Sequence, residues 1–111
     1  MEVIMSRDNS VTLIGVIGSE VELKMMRKSL IPVVEFILID SDEQPIPCSA
    51  FGDVATTISR TVRKGQLVSL CGSLYTYPVA GKNGSYMKLA VKVERICVGE
   101  GEKKPSVYDI A

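Results

Sequence analysis

The stretch Ala50–Leu74, AFGDVATTISRTVRKGQLVSLCGSL, decides how the rest of the chain is read. Val54, Ile58 and Val62 recur every four residues with Ala55 beside them. That spacing stacks them into one apolar stripe on a helix of about three turns. Asp53 is placed to cap its start, because a carboxylate accepts from the free amides there and suits the positive end of the helix dipole. Arg60, Arg63 and Lys64 crowd the far end, and Gly65 offers the left-handed residue that stops a helix. From Gln66 to Leu74 the period changes to two, with Val68, Leu70 and Leu74 on one face and Ser69, Cys71 and Ser73 on the other. Pro45 to Phe51 alternates as well: Ile46, Cys48 and Ala50 take one face, and Pro45, Pro47, Ser49 and Phe51 the other. The stretch is the end of one strand, a helix and another strand.

Outward from this centre the remaining segments also have the strand period. Val11 to Gly18 is apolar on both faces, with Gly15 and Gly18 where a strand can bend, and Glu20 to Met26 alternates Val21, Leu23 and Met25 with charges. One long kinked strand is expected there. Leu30 to Ile39 gives a second strand, with Pro32 at an edge or bulge, and Asp40 to Gln44 a loop. Pro78 to Gly84 is a hairpin loop whose turn is Lys82-Asn83-Gly84. In a fifth strand, Ser85 to Val98, Met87, Leu89, Val91 and Val93 are expected to face inward and Tyr86, Lys88, Lys92 and Glu94 outward. Five strands with one helix between the third and fourth is the order of an OB-fold, an all-β Greek-key barrel. The domain is placed at residues 1–98, with Met1 to Asn9 loose. Residues 99–111, polar and rich in breakers, are read as a mobile tail.

Composition narrows the function classes. A chain of 111 residues with 46% apolar content makes one domain with one core. It has no run of 18 apolar residues and no secretory signal pattern, so a soluble, intracellular protein is expected, with no membrane partner. Cys48, Cys71 and Cys97 are odd in number, widely spaced and set in apolar runs, which points to buried structural thiols and to no metal site. Histidine is absent, and neither a nucleophile elbow nor a phosphate-cradling Gly-Lys-Ser loop occurs, so no catalytic residue is assigned, no cofactor is expected and the protein is not read as an enzyme.

A net charge of zero does not announce a nucleic-acid partner, yet the cations are grouped: Lys24, Arg27 and Lys28; Arg60, Arg63 and Lys64; Lys82, Lys88 and Lys92. Each group taken alone reads first as solvated surface. Tyr75, Tyr77 and Tyr86 interleave with Lys88 and Lys92 on the outward faces of the fourth and fifth strands. Rings stack on any base and ammonium groups neutralise phosphates, although tyrosines also suit half-buried strand sites for packing alone. Phe51, opposite the small residues of its strand, is either a stacking platform or a cover for the adjoining helix. Since a small barrel has one interior, Thr12, Ile14 and Val16 on the two-sided apolar strand, or the residues of its opposite face, are expected to meet another subunit.

Over residues 9–98 the chain resembles the bacterial single-stranded DNA-binding protein family. Asn9-Ser10-Val11-Thr12-Leu13-Ile14-Gly15-Val16-Ile17-Gly18 is similar to the family's opening strand, Glu22-Leu23-Lys24 comes next as acid, aliphatic and base, and Val33 to Ile39 is similar to its second strand. Phe51-Gly52-Asp53-Val54-Ala55 resembles its Phe-Gly-x-Leu-Ala segment, and Arg63-Lys64-Gly65 with Val68, Leu70 and Gly72-Ser73-Leu74 resembles its Lys-Gly…Val…Gly-x-Leu pattern. The resemblance implies single-stranded DNA binding without chemistry, in replication, recombination or repair, by a homo-oligomer, a tetramer ahead of a dimer. It puts Phe51 on the family's stacking phenylalanine and Lys24 on a basic position. Together with the rings and cations read from the strand faces and charge groups above, the expected binding set is Phe51, Tyr75, Tyr77, Tyr86, Lys24, Arg27, Lys28, Lys88 and Lys92. The chain departs in having no tryptophan, with Pro45 and Val79 at two such places, and in carrying tyrosines at 75 and 77 where the family has bases. Replication or repair proteins are the implied protein partners, but Asp109-Ile110 supplies one acid where the family has an acidic tip, so recruitment through the tail is not expected. A primosomal replication protein N-like accessory factor, which acts by docking to other proteins, is the second reading. It suits Lys82-Asn83-Gly84-Ser85 and the missing tryptophans.

Overall fold

The computed structural model describes residues 9–99; the readings made for the first eight residues and for 100–111 lie outside them. The elements run β1 (Val11–Ile17), β2 (Glu22–Met25), β3 (Pro32–Ile39), β4 (Pro45–Phe51), α1 (Asp53–Thr61), β5 (Leu67–Gly81) and β6 (Gly84–Val98). They form one sheet in the order β1-β5-β6-β4-β3-β2, and β1 also pairs with β3, so the ring of strands closes on itself. Among the described strands only the β4–β6 pairing is parallel. The core is filled by Ile17, Val34, Phe36, Leu38, Cys48 and Ala50 from one side of the ring and Val68, Leu70, Val91 and Val93 from the other. Ala55, Ile58 and Val62 of the helical stretch are fully buried against them, and Val54 is half-buried, so the expected stripe is the face that packs.

The expected kinked first strand is two strands. From Ile17 to Glu22 the chain advances five residues, while its partner β3 advances three, from Leu38 to Glu35. Ser19 bridges the mismatch: the Ile37 N–H donates to Ser19 Oγ at 2.8 Å, and the Gly18 N–H donates to the Ile37 carbonyl at 2.7 Å. A side chain thus takes the place of a missing backbone partner, and β3 loses no hydrogen bond at the kink. Closure also requires Gly15, where a Cβ would collide with the Ile39 carbonyl oxygen. On the far side β6 carries a bulge: Cys71 pairs with Arg95 and Gly72 with Val93, leaving Glu94 over. A Cβ on Gly72 would run into the Lys92 carbonyl oxygen.

Several local expectations are corrected. Gly52, not Asp53, is the N-cap, because the exit from β4 needs φ = 69°, and Asp53 becomes the first helical residue, where its carboxylate still faces the positive end of the dipole. The helix ends at Thr61 rather than at Gly65, since Val62 turns extended and buries its side chain. Arg63 Nη1 donates to the carbonyls of Ser59 and Val62, satisfying the last turn. The β5–β6 ladder continues to Gly81 and Gly84, so the hairpin loop shrinks to Lys82 and Asn83. Met87 and Leu89, expected inside, are exposed, because this part of the ladder projects past the ring and has no core behind it.

The thiols divide in the same way. Cys48 is buried as expected, but Cys71 is half-buried and Cys97 exposed. Cys97 would share the inward face of Val91 and Val93, but the bulge at Glu94 reverses the alternation, turning Ile96 toward the core and Cys97 out. Burial pushes the Cys48 thiol from an ordinary 9.0 up to about 12, against a smaller opposing pull from a backbone hydrogen bond with Leu38. The unfolded thiol ionises first, so stability is full below pH 9.0 and falls as pH rises from there towards about 12. Cys48 is expected to stay unmodified by a thiol reagent at neutral pH until denaturant unfolds the protein. Peptide mass spectrometry after timed labelling checks this, and labelling of Cys48 at the rate of an unfolded control would contradict the packing.

Candidate nucleic-acid interface

With Cys48 and Ala50 committed to the core, the strand period turns Ser49 and Phe51 to the outer face of β4. Phe51 lies opposite Val33, and Val33 opposite Lys24, which sets these three in a row across β4, β3 and β2. On β5, Tyr75, Tyr77 and Val79 lie opposite Ala90, Lys88 and Tyr86 of β6. The two groups meet, since the rings of Phe51 and Tyr75 stand 6.3 Å apart, edge to face at 75°, and those of Tyr75 and Tyr77 5.6 Å apart at 30°. β6 runs between β4 and β5, and Ala90, the partner of Tyr75, is buried.

Beside Tyr77 the row opens into a pocket of about 330 Å³ lined by Ser19, Glu35, Pro47, Ser49, Tyr77 and Lys88, among others. Lys24 Nζ stands 3.9 Å from a Glu35 carboxylate oxygen, with both side chains well exposed, so the pair adds little to stability. Lys92 lies opposite both Ser49 and Ser73. Among the sequence-predicted residues, the structure thus gathers Phe51, Tyr75, Tyr77, Lys24, Lys88 and Lys92 on one face, with Tyr86 exposed further out on the hairpin. Arg27 and Lys28 are exposed in the turn between β2 and β3, beyond the strand face. Sequence reasoning missed Glu35 and Ser49. The signal for Glu35 was available as the single charge in the apolar run of β3.

Thr12, Ile14 and Val16 fall on the outer face of β1, opposite Cys71, Ser69 and Leu67. Ile14 is 60% exposed. Next to them a shallow groove of about 440 Å³ is lined by Thr12, Ser69, Cys71, Arg95 and Cys97, and Arg95 Nε donates to Cys71 Sγ at 3.4 Å. Among the described residues no three metal-ligating side chains cluster, and no helix is long and apolar enough to cross a membrane.

A closed ring of strands with the helix between β4 and β5, carrying a row of rings on its outer face, defines a small OB-type binding domain. The family model described as the single-strand binding protein family matches residues 8–98, and the chain belongs to that family. Among solved structures it is similar to the crystal structure of the SSB domain of a protein from Synechococcus sp., with a TM-score of 0.67 and 20% sequence identity over 82% of this chain and 96% of that one. That likeness bears out the expected OB-fold. No curated protein matches the chain.

Phe51 is half-buried and lies outside the core cluster, so its removal should cost far less than a core phenylalanine. Phe51→Ala is expected to stay folded and lose about 1–2 kcal/mol, the worth of one edge-to-face pair and part of a buried ring. Denaturant unfolding checks this. A loss of 4 kcal/mol or more, roughly that of a core ring, would make Phe51 a structural residue rather than an available surface.

Proposed function

We propose that the protein binds single-stranded DNA with little dependence on sequence and performs no chemistry on it. Bases stack on Phe51, Tyr75, Tyr77 and Tyr86, while Lys24, Arg27, Lys28, Lys88 and Lys92 meet phosphates. The observation that carries this reading is the contiguous row Phe51–Tyr75–Tyr77 on an open sheet face flanked by lysines. A free ring face accepts any unpaired base, whereas duplex DNA offers none. Membership of the single-strand binding protein family supports the same ligand. The work of such a protein is to hold strands exposed in replication, recombination or repair, and that places it in the cytoplasm with the nucleoid.

Two kinds of substitution should fail differently. Phe51→Ala should weaken binding of a dT oligomer roughly 5- to 150-fold, the equivalent of about 1–3 kcal/mol per stacked base, and leave the salt dependence unchanged. Lys88→Ala should instead flatten the slope of log K against log salt by about 0.7, the single-strand value for one phosphate contact. Fluorescence titration at graded salt reads both. Unaltered binding by folded Phe51→Ala would remove the central residue of the proposal.

The exposed apolar face of β1 supports assembly. Ile14, 60% exposed, with Thr12 and Val16 beside it, is an apolar strip on a strand whose other face already packs in the core. A homo-oligomer formed through this strip is expected, a tetramer ahead of a dimer. Light scattering at micromolar concentration should give that mass, and Ile14→Glu should lower it; a monomeric native protein would refute the assembly.

A further inference from the structure

We infer that the pocket beside Tyr77 selects among bases, favouring one that carries an exocyclic amine, such as cytosine, over thymine. This rests on the proposed use of the outer face for single-stranded DNA and adds a bias at one subsite to stacking that is otherwise indifferent to sequence.

Glu35 carries the wrong sign of charge for a phosphate-binding face. It stands on the same face as Lys24, Phe51 and Lys92, and Glu22 lies directly opposite it on β2. A carboxylate repels phosphates and can only accept hydrogen bonds, so on a DNA-binding face it suits the N–H groups of a base edge. The surroundings of Glu35 complete such a subsite. Its cross-strand neighbour on β4 is Ser49, which is 5% exposed, lines the pocket, and has no side-chain hydrogen-bond partner among the described residues. A buried hydroxyl left without a partner is costly, and a ligand atom entering the pocket would relieve it. The opposite wall is Tyr77 and Lys88, which face each other across β5 and β6. The volume, about 330 Å³, is at the small end of the 300–1,000 Å³ range of ligand pockets, suited to one base rather than a larger group.

These groups match cytosine. With its Watson–Crick edge free, cytosine offers the N4 amine to Glu35 and presents N3 and O2 as acceptors to the Lys88 ammonium and the Ser49 hydroxyl, while its face rests on Tyr77. Thymine places a carbonyl oxygen where cytosine has the amine, and that oxygen meets the carboxylate with negative charge against negative charge. Its one donor, N3–H, is flanked by two carbonyls. Lys24 does not block Glu35, because their contact is 3.9 Å long and solvent-exposed, and the lysine is free to turn to a phosphate.

The test compares dC, dU and dT oligomers of one length with the native protein and with Glu35→Ala. Uracil lacks thymine's methyl, so dC against dU isolates the Watson–Crick edge, a 4-amine with an acceptor N3 against a 4-carbonyl with N3–H. The native protein should bind dC about fivefold more tightly than dU, the low end of discrimination by a directed base contact, with dT close to dU. Glu35→Ala, a change at an exposed position, should abolish the preference while leaving affinity for dU unchanged or raised. Equal binding of dC and dU by the native protein would overturn this inference alone, as would a Glu35→Ala variant that keeps the preference or weakens both oligomers alike. Failure to bind any of the three would overturn the binding reading as well.

Discussion

The structure depends on one strand hydrogen-bonding along both of its edges. β1 pairs with β5 over six positions and with β3 over two, and at the crossing the backbones come so close that a side chain on Gly15 would strike the Ile39 carbonyl. Closure removes the open edges between β1, β5, β6, β4 and β3, and gives thirteen buried residues one common interior. The helix is placed by the same requirement: Ala55, Ile58 and Val62 are buried because the ring has an end to cover. Phe51 and Lys92 face outward because their neighbours in sequence, Ala50 for the one and Val91 and Val93 for the other, are committed to that interior.

That dependence explains what the sequence made legible. Cys48 and Ala50 could be assigned to the core from size and alternation, and Phe51 then had to be outside; the same logic set Tyr75 and Tyr77 apart from Leu70. What periodicity could not reveal were the places where its phase changes or its premise fails. The bulge at Glu94 inserts one residue and reverses inside and outside for Ile96 and Cys97, and a bulge leaves no mark in a hydrophobicity pattern. Met87 and Leu89 keep perfect alternation but lie beyond the ring, where there is no inside. The pocket was illegible for a different reason. Glu35 and Ser49 are fourteen residues apart, and only the β3–β4 register makes them neighbours.

β5 and β6 serve two surfaces with one continuous ladder. Near β1 their outer face carries Ser69, Cys71, Arg95 and Cys97 beside Thr12, and further along it carries Tyr75, Tyr77, Lys88 and Lys92 beside β4. A close contact between subunits at the first region and a ligand at the second would share the same hydrogen-bonded strands without competing for side chains. Zero net charge is compatible with this arrangement, because the cations on the proposed binding face are balanced by Glu22 and Glu35 beside them and by acids elsewhere, such as Asp40, Asp42 and Glu43 in the β3–β4 loop.

The hairpin arm adds a mechanical consequence. One wall of the pocket, Glu35 and Ser49, belongs to strands locked into the closed ring, while the other, Tyr77 and Lys88, stands on the stretch of β5 and β6 whose outlying residues Thr76, Met87 and Leu89 are in solvent. A two-stranded ribbon without a core behind it bends and twists far more easily than a closed sheet. The pocket is therefore a jaw with one fixed and one compliant side. Its aperture is an elastic variable, set by whatever lies in it, and a guest that bridges the two sides stiffens the arm as it settles.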